Sequence, residues 1–446
     1  MSYSGAPLET IVSLSKRRGF VFQASEIYGG FESTWDYGPL GVELKRRIAD
    51  AWWRDMVLAR EDVVGLDSAI LQAPRVWEVS GHASGFNDPL VDCKTCKGRF
   101  RQDKLDQTPC PRKPSKCAGD HSDCELTEPR QFNMMFKTQV GPVENSSSVA
   151  YLRPETAQGI FTNFLNVMQS MRLKLPFGVA QIGKSFRNEI VTGNFIFRTR
   201  EFEQMEMEYF CRPEQADEKF RYWVEQRLAW YRSIGIREEN LRARPYPKDE
   251  LAHYADACTD IEYLYPWGWD ELEGVANRTD YDVRKHAEAT GKKLAWQDPE
   301  SKEWITPYVV EPAAGLTRIV LIALLDAYTE ETLENGETRN LMRFHPRIAP
   351  MTLGVFPLVK RDGMPDKARQ IVQRYLDRFP VFYDESGAIG RRYRRQDEIG
   401  TPFCCTVDGQ TMEDDTVTVR DRDSMEQTRV KIEALGDFID GKTRDA

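Results

Sequence analysis

Along this chain of 446 residues, short stretches of alternating polar and apolar residues are interrupted by a few stretches with helical spacing. The alternation is clearest from Ser185 to Glu189 and from Arg198 to Glu208. It predicts two antiparallel strands joined by a loop from Ile190 to Phe197. Strand side chains alternate between faces, so Arg187 and Glu189 share one face of the first strand. Arg198, Arg200, Phe202, Gln204, Glu206 and Glu208 share one face of the second, and Met205, Met207 and Tyr209 point the other way. One face thus gathers arginines, a ring and carboxylates, which suits a ligand with a phosphate, a flat base and an amine. A solvated polar face is the plainer reading of such a strand taken alone. Downstream, Val309 and Val310 predict a strand that turns at Pro312 and Gly315 into a helix from Ile319 to Tyr328. Apolar residues surround most of that helix, so it is expected to be buried. Arg318 falls in its first turn, where free N–H groups and the helix dipole favour anions. A buried arginine needs an anionic partner, and an ion pair to Asp or Glu is again the plainer reading.

The remaining pattern divides the chain. A long helix is predicted from Leu40 to Val57. Residues 85–150 read as an inserted module, polar and cysteine-rich, with Pro109, Pro111 and Pro114 breaking regular structure. A helix follows from Pro213 to Ser233, and residues 240–305 read as a second polar insertion. Pro346 and Pro350 mark a boundary between a first domain, 1–345, and a second, 350–446. The second alternates strands (Leu353–Val359, Val381–Tyr383, Phe403–Val407, Thr416–Val419) with helices (Pro365–Arg378, Ile389–Glu398 and a last one), which predicts a small α/β domain. Ser424 with Gln427 is a capping-box pattern for the last helix.

Composition adds bounds. A net charge of −9 argues against a general nucleic-acid coat, because non-specific binding rests on neutralising phosphates. It leaves room for a local basic patch, and Arg391, Arg392, Arg394 and Arg395 form the clearest one. No secretory signal is apparent at the start. The longest apolar run, Ile319–Leu325, is too short to span a bilayer, so a cytoplasmic protein without membrane contact is expected. Five of the nine cysteines crowd one window: Cys93, Cys96, Cys110, Cys117 and Cys124. Cys93 and Cys96 have the CxxC spacing of zinc ligands; the second pair is irregular, with His121 a possible substitute. Reduced thiols in an insertion are the competing reading.

Taken together, the Ser185–Glu206 and Glu311–Arg318 segments resemble motifs two and three of class II aminoacyl-tRNA synthetases. The spelling is most similar to the homodimeric glycyl-tRNA synthetases. Arg17–Phe22, Glu26–Gly30, Trp35–Gly41, Arg153–Gly159 and Glu271–Gly274 agree with it in the same order. The resemblance implies an α/β fold: a class II catalytic domain built on an antiparallel sheet, with insertions, and a C-terminal anticodon-binding domain. It implies ATP, Mg²⁺, glycine and tRNA(Gly) as cofactors and substrates, and a homodimer built around the motif-one helix.

Site residues follow by matched position. Arg187 and Arg318 are the catalytic pair. Arg187 binds the α-phosphate, Glu189 accepts from the adenine amino group, Phe202 stacks on adenine, and Arg318 lies on its other face or on the γ-phosphate. Asn188, Phe197, Arg198, Thr199, Arg200, Glu201, Leu272, Gly315, Leu316 and Thr317 complete the nucleotide site. Glu271 and Glu311 are candidate magnesium carboxylates. Glycine is expected against Glu155, Glu206 and Glu311, with Phe202, Glu203, Gln204, Met205, Pro312, Ala313, Ala314 and Gly315 nearby. Arg99 or Arg101 reaches its carboxylate. Ala313 stands where some relatives have serine. Asp397 and Glu398 accept from tRNA base edges or orient the arginines beside them. The alternatives are a prolyl, histidyl or threonyl enzyme of the same class, or a synthetase-like binding protein that has lost activation. The Arg153-Pro154-Glu155 spelling favours glycine, and the intact motif arginines favour activity.

Overall fold

A computed structural model describes residues 3–142, 148–190, 193–251, 255–333 and 336–444. Residues 191 and 192 of the predicted Ile190–Phe197 loop lie outside these, as do 143–147 and 252–254 of the two predicted insertions. The fold is mixed α/β and is organised on a seven-stranded sheet. Its strands are β1 (Val63–Gly65), β2 (Phe177–Phe186), β3 (Glu201–Cys211), β4 (Leu241–Pro245), β5 (Ala257–Tyr265), β6 (Gly268–Thr279) and β7 (Tyr308–Gly315). They run in the order β4-β5-β6-β7-β3-β2-β1. Every neighbouring pair is antiparallel except β2 with β1.

One side of the sheet is packed apolar. Met205, Met207 and Tyr209 of β3 sit there under helices α1 (Leu8–Arg18), α2 (Pro39–Trp53), α3 (Ala216–Ser233) and α5 (Leu316–Ala327). Helix α5 is buried at every position but Arg318. Trp52 and Val57 are buried within their own chain, with Trp53 packed beside them. The other side is split. Phe210, Phe177 and Val309 pack there against Phe161, Phe164 and Val283 of helix α4 (Tyr281–Thr290). The rest of that face is polar and open.

Three expectations are corrected here. First, β2 ends at Phe186 and β3 begins at Glu201, paired with it. Arg187, Glu189, Arg198 and Arg200 therefore stand on the connecting loop. The reason is apolar: Phe195, Ile196 and Phe197 form a single buried 3₁₀ turn that draws the segment out of the pleat. Second, β7 does not turn at Pro312 but runs through it to Gly315. Its ladder with β3 pairs Glu206 with Ala313 and Tyr209 with Val310 and skips the two residues between, where Pro312 has no N–H to donate. Third, much of 240–305 is no insertion. Strands β4, β5 and β6 belong to the main sheet, and they read as polar because one face of β5 and β6 lines a cleft.

Residues 87–133 do form a separate small lobe. Strand Asn87–Asp92 is flanked by Arg99–Arg101 and Arg130–Asn133 in a three-stranded sheet. The C-terminal part holds a five-stranded sheet: β8 (Leu353–Pro357), β9 (Val381–Tyr383), β10 (Phe403–Val407), β11 (Thr416–Asp421) and β12 (Gln427–Lys431), with helices α6 (Met364–Tyr375), α7 (Ile389–Ile399) and α8 (Leu435–Arg444). Gln427 thus opens a strand, and the expected Ser424 capping box is not a cap. The real one is Asp408 with Thr411, on the short helix Gly409–Asp414.

A buried ionic knot joins this part to the ribbon Tyr328–Thr332/Thr338–Met342 that follows α5. Arg339, wholly buried, meets Glu331 at 2.6 Å and Asp397 at 3.5 Å. Arg420 holds the other Asp397 oxygen at 2.9 Å. Among the described residues, no helix is long and apolar enough to cross a membrane.

Candidate active site

The open part of the sheet is the floor of a cleft of about 300 Å³. Three strands build that floor by alternation. β3 contributes Phe202, Gln204 and Glu206; β7 contributes Glu311, Ala313 and Gly315; β6 contributes Gly274, Ala276 and Arg278. Register sets the small residues Ala313 and Gly274 side by side and puts Glu206 across from Ala313 on the other flank. A Cβ added to Gly274 would meet nothing closer than Asp260 Oδ1 at 3.9 Å, so glycine here leaves the cleft deeper. The loop after β2 supplies Arg187, Glu189, Phe197, Arg198 and Thr199 as a wall. The start of α5 supplies Thr317 and Arg318.

One end is cationic and aromatic. Arg187 lies between the rings of Phe86 and Phe202, at 5.4 and 5.3 Å from their centroids, and its Nε donates to the Pro154 carbonyl at 3.1 Å. It forms no ion pair among the described residues, so its charge remains available to an incoming anion. Arg318 is held more firmly. Its guanidinium stacks over Phe197 at 4.5 Å and meets Glu271 Oε1 at 3.2 Å. The Arg318 charge holds the Glu271 carboxyl below its usual range, against the burial that works to raise it. Arg198 reaches Glu189 at 3.8 Å.

The other end is acidic and closed. Glu206, Glu208 and Glu311 each bring a carboxylate oxygen within 4.8 Å of the others. Arg278 is their counter-charge: Nη1 donates to Glu311 at 2.8 Å and Nε to Asp282 at 2.8 Å. Thr156 donates to Glu206 Oε2 from its N–H at 3.1 Å and also from its hydroxyl. Burial and then the neighbouring Glu311 push Glu206 up to about 8. Burial and Glu311 push Glu208 well above its usual value. Burial likewise raises Glu311, with Arg278 opposing. Glu155 behaves differently. Burial works to raise it, but His82 at 3.3 Å, Arg278 and a 3.0 Å bond from Gln158 outweigh that and hold it well below the usual carboxylate range. The pocket therefore has ionised and proton-holding carboxylates side by side, and an ammonium group entering it meets both.

Several expected residues lie elsewhere. Met205, Ala314 and Leu316 point into the apolar core, and Pro312 is buried without lining the cleft. Glu203 pairs with Lys45 at 2.6 Å on the far side of the sheet. Glu201 pairs with Lys184, and Arg200 donates to the Glu32 carbonyl. Asn188 meets the Met134 carbonyl through its own N–H at 2.8 Å. Leu272 lines the cleft. Arg99 is exposed near Asp92, and Arg101 is engaged by Asp88 at 2.9 Å and Asp103 at 2.8 Å; neither lines the cleft. Sequence reasoning missed Arg278, Gln158, Thr156, His82 and Asp282, and also Asp260, Tyr246 and Cys258 on β5 and before it. Alternation along β6 from Gly274 through Ala276 to Arg278 was the signal that could have found the first.

In the C-terminal part, only Arg391 of the four basic residues is exposed. Arg392 is buried and donates to the Gly387 and Pro357 carbonyls. Arg395 is bound to Asp384 at 2.5 Å, and Arg394 lies 3.7 Å from Glu337. Asp397 is buried in the ionic knot, which keeps it from base edges; Glu398 pairs with Arg18.

In the small lobe, Cys93 and Cys124 bring their sulfurs to 3.7 Å and His121 Nε2 lies 3.1 Å from Cys110 Sγ. Cys117 instead donates to the Asp106 carbonyl at 2.8 Å.

An antiparallel sheet whose floor faces a cleft, with one arginine on the loop between two central strands and another at the start of a buried helix, defines a class II tRNA synthetase core. In accord, residues 136–328 match the family described as tRNA synthetase class II core domain (G, H, P, S and T), and residues 352–442 match the anticodon binding domain. The chain is 55% identical over 433 residues to the glycine–tRNA ligase of Treponema denticola, covering 95% of this chain and 94% of that one. It is 52% identical to the glycine–tRNA ligases of Streptomyces coelicolor and of Geobacillus thermodenitrificans, with 97% and 98% of each chain covered. The chain belongs to the glycine–tRNA ligase family.

Proposed function

We propose that the protein activates glycine with ATP and transfers the glycyl group to the 3′-terminal adenosine of tRNA(Gly). The observation that carries this reading is the polarity of the cleft, with the unpaired Arg187 charge and half-buried rings at one end and a closed acidic pocket at the other. ATP lies across the first, with its α-phosphate at Arg187, its base against Phe202 and Glu189, and its remaining phosphates towards Arg318. The ammonium of glycine enters the second, against Glu206, Glu155 and Glu311. A glycine carboxylate oxygen then bonds to the α-phosphorus as the bond to the β-phosphate oxygen breaks and pyrophosphate leaves. A hydroxyl of the tRNA's terminal ribose next attacks the carbonyl carbon, and AMP departs.

The substrate brings its own nucleophile. The residues supply position and charge stabilisation, and guanidinium fits phosphate oxygens in pairs. Ala313, Gly274 and Ala276 form a small-residue floor, and the bulk of the acidic side chains beside it is what would exclude a Cα substituent. Such steric exclusion of larger amino acids can be strong.

Magnesium fits the phosphate end. Glu271 and Asp260 are hard oxygen donors lining one cleft, and burial and then Glu271 raise Asp260 to about 7. A divalent ion held by Glu271 and Asp260 would relieve that repulsion and supply positive charge to the phosphates. Glu311 is less suited, because Arg278 already neutralises it. Among the described residues of the cysteine-rich lobe no three thiol or imidazole ligand atoms come together, so the residues there do not fit the zinc that their spacing suggested.

The anticodon binding domain meets the tRNA through Arg391 and Arg394. A second copy of the chain covers the exposed Ile27, Tyr28 and Phe31, 90%, 86% and 60% accessible, since apolar groups clustered on a surface mark contact sites. The protein acts in the cytoplasm. ATP–pyrophosphate exchange run across amino acids tests the reading. Exchange with glycine alone is expected. Exchange with proline, histidine or threonine points to another enzyme of the class, and none at all to a binding protein.

A further inference from the structure

We propose that Glu208 is a positioning residue for glycine: its carboxyl O–H donates to the Glu311 carboxylate from behind the acidic pocket and aims it at the ammonium. The proposal rests on the reading of that pocket as the ammonium site and adds to it what holds the receiving carboxylate in place. Glu206 and Glu311 line the cleft and Glu208 does not. Glu208 is wholly buried, on the strand face it shares with Glu206. A carboxylate oxygen of each of the three lies within 4.8 Å of the others.

Register sets the pair face to face. β3 and β7 pair Glu206 with Ala313 and Tyr209 with Val310. The same register places Glu208 directly across from Glu311, in the stretch where the ladder is interrupted. Two ionised carboxylates so opposed repel, and burial strengthens the repulsion, so one of the two must hold a proton. The donors decide which. Arg278 of β6 donates to Glu311 at 2.8 Å. Among the described residues, no N–H or hydroxyl group reaches either oxygen of Glu208. An ionised carboxylate without a single donor is costly in the interior. A protonated one has an O–H to give, and the acceptor opposite it is Glu311.

The surroundings point the same way. Burial raises both groups and the Glu311 charge raises Glu208 further, while Arg278 and the bond from Glu208 work the other way on Glu311. On the β2 side, the residue across from Glu208 is the apolar Val179. The other charged groups about the pair are Glu206 on β3, Asp282 of α4 on the far side of Arg278, and Glu155 with His82 beside it. The acids favour a proton on Glu208, and Arg278 is committed to Glu311 and Asp282. Glu311 is thus gripped by Arg278 and Glu208 together, and its cleft side is left to the ligand. Without the Glu208 donor it would bind a proton more readily and lose the charge that the ammonium meets.

The test uses the full-length enzyme in pyrophosphate exchange, with Glu208→Met and Glu208→Gln beside wild type at pH 6, 7 and 8. Methionine is close to glutamate in length and has no proton to give. Replacing a buried polar group by an apolar one of similar shape leaves stability level or higher, so the urea midpoint should not fall. The KM for glycine should rise ~10-fold or more, as loss of a hydrogen bond to a charged group does, with the KM for ATP unchanged. The rise should be largest at pH 6 and shrink towards pH 8, since Glu311 without its donor is protonated at the acid end. Glu208→Gln keeps a donor in its NH₂ group and should recover most of the glycine affinity. Glutamine as damaging as methionine makes Glu208 a working carboxylate, for the ammonium or a bound cation, and overturns the proposal. So does methionine with the wild-type KM for glycine. Should Glu208→Met fail to fold, the infrared difference between wild type and Glu208→Gln reads the proton itself. The carbonyl stretch of a protonated carboxyl at pH 7 is the expected result, and a carboxylate band in its place overturns the O–H donor. Wild-type exchange with glycine is measured first, so failure of the glycine reading is told apart from failure of the Glu208 role.

Discussion

Glu206→Gln is the substitution whose effect can be worked out most fully. At pH 7 a carboxyl with a pKa of about 8 is about nine-tenths protonated. Glutamine resembles that resting state, and Thr156 can still donate to its amide oxygen. Stability at pH 7 should therefore change by less than ~1 kcal/mol. Glycine binding is different, because the ammonium calls for the ionised carboxylate. A hydrogen bond to a charged partner contributes ~1.5–3 kcal/mol, a factor of ~10–150 in KM. Near pH 9 that full factor should separate variant from wild type. At pH 7 the wild type must first lose the proton, at ~1.4 kcal/mol, so the ratio of KM values should shrink about tenfold. The defect thus grows as pH rises.

The assay is the KM for glycine in pyrophosphate exchange at pH 7, 8 and 9, both enzymes side by side, since titration of glycine's own amine affects them equally. Calorimetry in two buffers should show about 0.9 proton released per glycine bound at pH 7 in the wild type and almost none in the variant. Stability follows the same sign. The folded pKa is raised above the ordinary 4.5, so the folded chain holds a proton that the unfolded chain has lost between pH 4.5 and about 8. Wild-type stability falls as pH rises through that window, and the variant escapes the fall. A KM ratio that is flat across pH, or largest at pH 7, refutes the reasoning.

Other outcomes are equally definite. Arg187→Ala should slow adenylate formation by ~10²–10³, the usual cost of removing a group aimed at developing charge, and Arg187→Lys should recover only part of it because the two-pronged donor is lost; exchange near the wild-type rate counts against the assignment. Arg278→Met should destabilise the fold by ~3–5 kcal/mol, since Glu311 and Asp282 lose their buried counter-charge, read as a lower urea midpoint. Replacing Arg391 and Arg394 together by Ala should raise the KM for tRNA and flatten the log–log salt slope by ~1–2, whereas Arg392→Ala should lower the melting temperature because that buried side chain ties the Gly387 and Pro357 carbonyls.

Much of this was legible because alternation on β3 is strict. Met205, Met207 and Tyr209 had to face the core, and Phe202, Gln204 and Glu206 the cleft. Helix α5 was legible for the same kind of reason, being apolar on every side. What stayed hidden depended on partners distant in sequence. Nothing local says that Arg278 faces Glu311, because the pairing arises only when β6 and β7 come into register. Strands β5 and β6 looked like part of an insertion because their cleft-facing residues are polar, which lowers the very apolar contrast that marks a strand. Arg392 and Arg395 looked like a solvated cationic patch until α7 packed against β8, burying Arg392 and setting Arg395 on Asp384.

Helix α5 also settles which part of the cleft can move. It has apolar neighbours around its whole girth, so a shift of even one ångström would open voids or clashes in a close-packed interior. Arg318 is consequently an immobile electrode, stacked on Phe197 and tethered to Glu271. Arg187 rides on the loop between β2 and β3, held between the rings of Phe86 and Phe202 and by the Pro154 carbonyl. The distance between the two guanidinium groups can therefore be adjusted from one side only, by how the loop comes to rest.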